Sequence, residues 1–102
     1  MTEPLVVERG MSYRRYLLLK FHAEMDAQNY ELAGTWRALH DDLPGSTPLP
    51  VGFPFLALCQ ERAYGAWEDL FGATVDELTR NLELAPIDAQ AVLATWSALP
   101  VP

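Results

Sequence analysis

The chain holds few of the residues that usually carry chemistry. It has one cysteine, Cys59, so no internal disulfide can form. A lone thiol fits a reducing compartment. It has one lysine, Lys20, and seven bases in all against fourteen acids, for a net charge of −7. Phosphate backbones are bound mainly through Lys and Arg, so no nucleic-acid partner is expected. No apolar run approaches the ~20 residues that a membrane span needs, so no membrane partner is expected either. Met1-Thr2-Glu3-Pro4 is acidic and opens no long apolar stretch, unlike a secretory signal. These absences together give the expectation of a cytoplasmic protein. A glycine-rich phosphate loop, a G-x-S-x-G elbow, an H-E-x-x-H pair and paired C-x-x-C motifs are all missing, which argues against the common enzyme classes and gives no reason to expect a cofactor.

What is present is globular. Half of the 102 residues are apolar and 11% are aromatic. One domain is the default at this length, and such a chain buries roughly two-thirds of its unfolded surface. Charge is uneven. Residues 1–42 carry five bases and seven acids, whereas residues 43–102 carry seven acids and only Arg62 and Arg80. The acids of the second section are expected either to solvate a face or to meet a basic partner.

Proline and glycine set the organisation. Leu43 to Phe53 and Pro54 contain four of the eight prolines, with Gly45 and Gly52 among them. Proline lacks an amide donor and fixes φ, so this segment is neither helix nor central strand. It reads as a stiff connector over 43–54 between two helical sections. Before it, Pro4-Leu5-Val6-Val7 suggests an extended arm or edge strand over 1–11, broken at Gly10. Ser12 is a plausible N-cap.

From Tyr13 to Leu43 the apolar spacing is helical. Tyr13, Leu17, Phe21 and Met25 recur every four residues, and Leu32, Trp36, Leu39 and Leu43 continue a rotated stripe. The run is one long helix or two, broken near Asp26-Ala27-Gln28-Asn29. A buried strand over Tyr16–Phe21 is the rival reading.

After the connector, Pro54 suits the first position of a helix. Phe55, Cys59, Ala63, Ala66 and Leu70 form its stripe, with Gly65 in its interior and Gly72 as its stop. Thr74-Val75-Asp76-Glu77 reads as a capping box opening a short helix with Val75, Leu78 and Leu82 inward. Ile87 to Leu99 makes a last helix, with Val92, Trp96 and Leu99 on one stripe. The expected fold is all-α, four or five helices in one bundle-like domain.

Each candidate for chemistry has a plainer reading. Cys59 lies on an apolar stripe, where a thiol acts as a small hydrophobe. His40-Asp41-Asp42 is the densest polar cluster, but adjacent residues do not share a helix face, so it reads as a helix end rather than a metal site. His22 and Asp26 share a face and read as a surface ion pair, since two ligands are too few for a closed metal site. Lys20 follows three leucines and is expected to snorkel.

The aromatics point to binding. Tyr64 and Trp67 are three apart on the expected helix, and Phe53 and Phe55 flank Pro54. Tyr and Trp anchor interfaces. We therefore expect a partner-binding patch of Phe53, Phe55, Tyr64 and Trp67, with Glu68 and Asp69 setting orientation and on-rate. Its occupant is a larger protein or a second copy of the chain. Phage assembly factors and toxin immunity proteins share this general build.

Two blocks carry a family resemblance. Phe21-His22-Ala23-Glu24-Met25-Asp26-Ala27-Gln28-Asn29-Tyr30-Glu31-Leu32-Ala33 resembles the helical opening of nitrile hydratase β-subunits and their activator proteins. Tyr64-Gly65-Ala66-Trp67-Glu68-Asp69-Leu70 resembles that family's tyrosine-x-x-tryptophan helix. Met25 stands where that family usually has tryptophan, and Ala66 where histidine is frequent. The resemblance implies an accessory or partial β-like subunit without metal ligands of its own, the metal belonging to the other subunit.

Overall fold

In the computed structural model the backbone is described from residue 2 to residue 102, and the side chains from residue 12 onward. The described residues contain helices and a single isolated β-bridge, so the fold is all-α as expected. Among the described residues no helix is long and apolar enough to cross a membrane. Where length alone suggested one domain, the chain divides into two compact units, residues 1–45 and residues 46–102.

The first unit is a pair of helices, α1 (Thr2–Asp26) and α2 (Tyr30–Asp41), packed on one another. The backbone of residues 2–11, expected to be an extended arm, is helical, and Ser12 lies inside α1 rather than at its start. Proline is tolerated in a first helical turn, where the amide donor has no partner to lose, and Pro4 sits there. Gly10 lies within the helix, at a cost of about 1 kcal/mol relative to alanine.

The 12–43 run is therefore two helices, broken where the second alternative put the break. The stop is a Schellman turn. The Gln28 amide donates to the Met25 carbonyl at 3.0 Å and the Asn29 amide to the Glu24 carbonyl at 2.8 Å. Gln28 takes φ 63°, a left-handed conformation more often given to glycine. The Asn29 side chain also donates to Glu24 Oε2 at 2.9 Å. Leu17, Leu18, Phe21 and Ala33 are buried, whereas Tyr13 and Met25, expected on the inner stripe, are exposed. The compact run Tyr16–Phe21 is helix, not strand.

The second unit contains α3 (Leu56–Glu61), α4 (Trp67–Leu70), α5 (Val75–Asn81) and α6 (Pro86–Ala98). Pro54 does not open α3. Phe55 precedes that helix at φ 56°, so the first turn starts only at Leu56. The helix expected to run on toward Gly72 stops at Glu61. Ala63 adopts φ 69°, and the Tyr64 amide donates to the Cys59 carbonyl at 2.7 Å, which closes a second Schellman-type turn. Tyr64 and Trp67 consequently lie in separate segments, and Gly65 is a loop residue.

From Ser46 onward the connector is part of this unit. The Leu49 amide donates to the Gly65 carbonyl at 3.1 Å, and the Trp67 amide donates to the Thr47 carbonyl at 2.8 Å. Pro48 and Ala66 form the isolated antiparallel bridge. Glu68 completes the tie by accepting from the Thr47 amide at 2.7 Å and from its hydroxyl at 2.8 Å.

The core of the unit holds Phe53, Cys59, Tyr64, Leu70, Leu78, Leu82 and Val92. Within it the Tyr64 hydroxyl donates to Glu77 Oε2 at 2.7 Å and accepts from Asn81 Nδ2 at 2.9 Å. Thr74 caps α5, its hydroxyl accepting from the Glu77 amide at 3.2 Å. The capping threonine expected from the sequence is thus present, while the Glu77 carboxylate reaches inward to Tyr64. Trp96 lies 5.2 Å from Trp67, centroid to centroid, and its indole Nε1 donates to the Trp67 carbonyl at 2.9 Å.

Two substitutions test this account by thermal or urea unfolding. Thr74→Ala removes the cap and lowers stability by about 1 kcal/mol. Tyr64→Phe keeps the ring but strips a buried carboxylate and a buried amide of one partner. It is expected to cost about 1–3 kcal/mol, more than the cap.

Candidate functional site

The six residues expected to form a binding patch do not form one. Phe53, Tyr64, Trp67 and Asp69 are buried, and Glu68 is half-buried against Thr47. Asp69 Oδ2 accepts from the Ala66 amide at 3.1 Å and so holds the start of α4. Only Phe55 keeps a large exposed apolar surface. The reason is the break after Glu61. It turns Tyr64 into the core and leaves the Ala66 amide, which a continuous helix would have paired, to Asp69, while Glu68 accepts from the connector at Thr47.

The other sequence candidates are also held in place. Cys59 is fully buried. Burial pushes its thiol up from 9.0 to about 11, the opposite of what a nucleophile needs. His40 is buried rather than at the surface, with Nδ1 2.9 Å from Asp41 Oδ1. Asp41 also accepts from Arg37 Nε at 2.9 Å. His22 is buried with its ring edge-on to Phe21, 4.9 Å away, so the surface pair with Asp26 does not describe it. Lys20 lies with its ammonium 5.6 Å from the centre of the Tyr16 ring. No group of three or more metal-ligating side chains exists among the described residues.

The unexplained surface is on the helix pair. On α2, Leu32, Trp36 and Leu39 fall within about 60° of arc, at ~100° per residue. The spacing marked this stripe as inward-facing, yet Leu32 and Leu39 are each 45% exposed. On α1, Tyr13, Tyr16 and Lys20 share an arc of the same width, and Tyr13 and Tyr16 are 50% and 49% exposed. The two stripes meet where the Tyr16 ring stands edge-on to Trp36, with centroids 6.0 Å apart. They therefore form one continuous apolar face of two tyrosines, two leucines and a tryptophan.

The buried side of α1 accounts for this. It is filled by Arg14, Leu17, Leu18, Phe21 and His22, and Ala33 and His40 are the buried positions of α2. The inner row of α2 thus lies one step round from its leucines, at Ala33, Arg37 and His40. Small and polar side chains take the inner positions, and the oily ones are left outside. The edge of the face along α2 is acidic. Glu31 and Asp42 are exposed there, and with Thr35, Ala38 and Asp41 they line a shallow depression beside Leu39.

The signal that could have located this face was the α2 stripe itself, which the sequence shows clearly. Which side of α2 would be covered was not legible.

Trp36 has a further property. Its Nε1 is inaccessible and has no acceptor among the described residues. An unmade hydrogen bond at a buried donor costs about 1–3 kcal/mol. Trp36→Phe keeps the edge contact with Tyr16 and removes that donor. It is expected to leave the melting temperature unchanged or raised, despite the smaller ring.

Cys59 gives a pH test. The folded thiol holds its proton to about 11, while the unfolded thiol releases it near 9.0. The unfolded state therefore binds fewer protons between these values, and this contribution to stability is complete below pH 9 and lost as pH rises toward 11. Cys59→Ser is expected to flatten that alkaline loss in unfolding titrations. The native thiol is expected to react with a disulfide reagent at pH 8 only at the rate of unfolding.

No protein-family model, curated protein or solved structure matches the chain, so the reading of this face rests on its own geometry.

Proposed function

We propose that the chain is a non-enzymatic interaction protein, an accessory, assembly or inhibitor-type factor, that binds a larger protein partner through the Tyr13–Tyr16–Leu32–Trp36–Leu39 face. One observation carries this reading. A helix pair with a buried side of its own still turns a contiguous row of large apolar side chains to solvent. Single exposed apolar residues are ordinary, but contiguous ones rimmed by polar groups mark contact surfaces. Tyrosine and tryptophan are the residues whose truncation most often costs binding. Of the groups weighed for chemistry, Cys59 is occupied by burial and His40 by its contact with Asp41. A cytoplasmic setting goes with this reading.

The nitrile hydratase-type alternative names a particular partner for the same region. Residues 21–33, which carry that resemblance, span the turn from α1 to α2 and include Leu32 of the face. Under it the partner is a cobalt- or iron-binding α-like subunit. A phage morphogenesis factor is the same kind of accessory role with a different partner.

The test is capture from the source lysate with the native chain and with a Leu32→Ser/Leu39→Ser variant, followed by calorimetric titration of the purified partner. Both leucines are half exposed, so the variant is expected to keep the native circular dichroism. Its affinity is expected to fall by about thirtyfold or more. An unchanged affinity for the same partner defeats the proposal. A captured subunit that carries cobalt or iron selects the nitrile hydratase-type reading.

A further inference from the structure

We infer that the element docking on this face is an amphipathic helix with a basic edge, an inference that rests on the interaction-protein reading above. The geometry sets the shape of the occupant. Leu32, Trp36 and Leu39 run along α2 for about 10 Å, at ~1.5 Å per residue. Tyr13 and Tyr16 run beside them on α1, joined through the Tyr16–Trp36 contact. A row on each of two packed helices makes a channel between ridges, the surface into which a third helix lays its apolar side chains at i, i+3 or i+4, and i+7. About two turns of helix match its length.

Charge sets the chemistry of the edges. Along α2 the face is bordered by the exposed carboxylates Glu31 and Asp42. Arg37 lies toward the other side of the pair, with its guanidinium 5.3 Å from the Phe21 ring and bonded to Asp41. Along α1, among the described residues, Lys20 borders the face, held over Tyr16, and Glu24 one turn on accepts from the Asn29 side chain. The α2 border thus offers two carboxylates and the described part of the α1 border an ammonium. A helix with Lys or Arg on the edge above α2, and neutral or acidic residues on the edge above α1, complements both. A second copy of the chain brings the same acidic border and a further net charge of −7, so like charge opposes self-association.

The test selects ~20-residue helix-forming peptides from a display library on the immobilised full chain at low salt. The winners are then measured by fluorescence anisotropy against the native chain, Leu32→Ser/Leu39→Ser and Glu31→Gln/Asp42→Asn. The expected winners have apolar residues at helical spacing and Lys or Arg on one flank. They lose about thirtyfold or more in affinity on the leucine variant. They lose about two- to fivefold on the carboxylate variant, and that loss shrinks at high salt. Winners that lose affinity on the leucine variant but carry no basic flank overturn the partner chemistry and leave the docking face standing. Winners indifferent to the leucine variant, or no winners at all, overturn both. A dimer by light scattering that Leu32→Ser/Leu39→Ser dissolves makes the chain its own occupant and overturns the inference.

Discussion

The second unit depends on one buried hydroxyl. Tyr64 is fully enclosed, and its oxygen joins a carboxylate and an amide that both come from α5. A ring of this size gives a large apolar burial, but its hydroxyl must find partners once water is gone. Glu77 and Asn81 supply them from one helix, four residues apart and so on one face. For Tyr64 to reach them, the helix before it has to end, and it ends at Glu61 through a left-handed Ala63. The loop that results leaves amides and carbonyls to satisfy. Asp69 takes the Ala66 amide, the Thr47 carbonyl takes the Trp67 amide and the Leu49 amide donates to the Gly65 carbonyl, so the proline-rich segment of 46–50 is drawn in as part of the same solution and Glu68 fastens it at Thr47.

Polar and apolar residues have thereby changed places. In the second unit, acids that looked available for a partner are engaged inside: Glu68 with Thr47, Asp69 with a backbone amide, Glu77 with a phenol. In the first unit, leucines and tyrosines that looked like core stand in solvent, while Arg14, His22 and His40 are buried. Buried polar groups are tolerated only with partners, and the ring contact of His22 and the Asp41 contact of His40 are consistent with that requirement. A surface of large apolar side chains rimmed by polar groups is the kind that contacts cover, while Cys59 and His40 are enclosed.

Much of the architecture was legible in the amino acids. The all-α class, the connector, the two-helix alternative for 12–43, the Thr74 cap and the last helix all came from spacing and from proline. The helix break near 62–66 was not legible, because the residue that makes it is alanine. Left-handed turns announce themselves through glycine or asparagine, and here the glycine stands two positions later, at Gly65. The candidate site was half legible. The Leu32–Trp36–Leu39 stripe was plain, but periodicity gives the apolar side of a helix and not what covers it. That depends on the rotation at which α2 meets α1, fixed by which of Leu17, Leu18 and Phe21 pack where. The Phe53–Trp67 patch failed for the converse reason. Aromatic residues close together in sequence say nothing of exposure until the backbone between them is known.

Helix exits by left-handed alanine, glutamine and glutamate have one more consequence. Gln28, Ala63 and Glu83 all take positive φ at the second position after a helix, each with a Cβ that the conformation tolerates at about 1 kcal/mol. A hardier version of the molecule thus has two addresses already marked, at Gln28 and Glu83, whereas Ala63 adjoins the buried phenol and has to keep its turn.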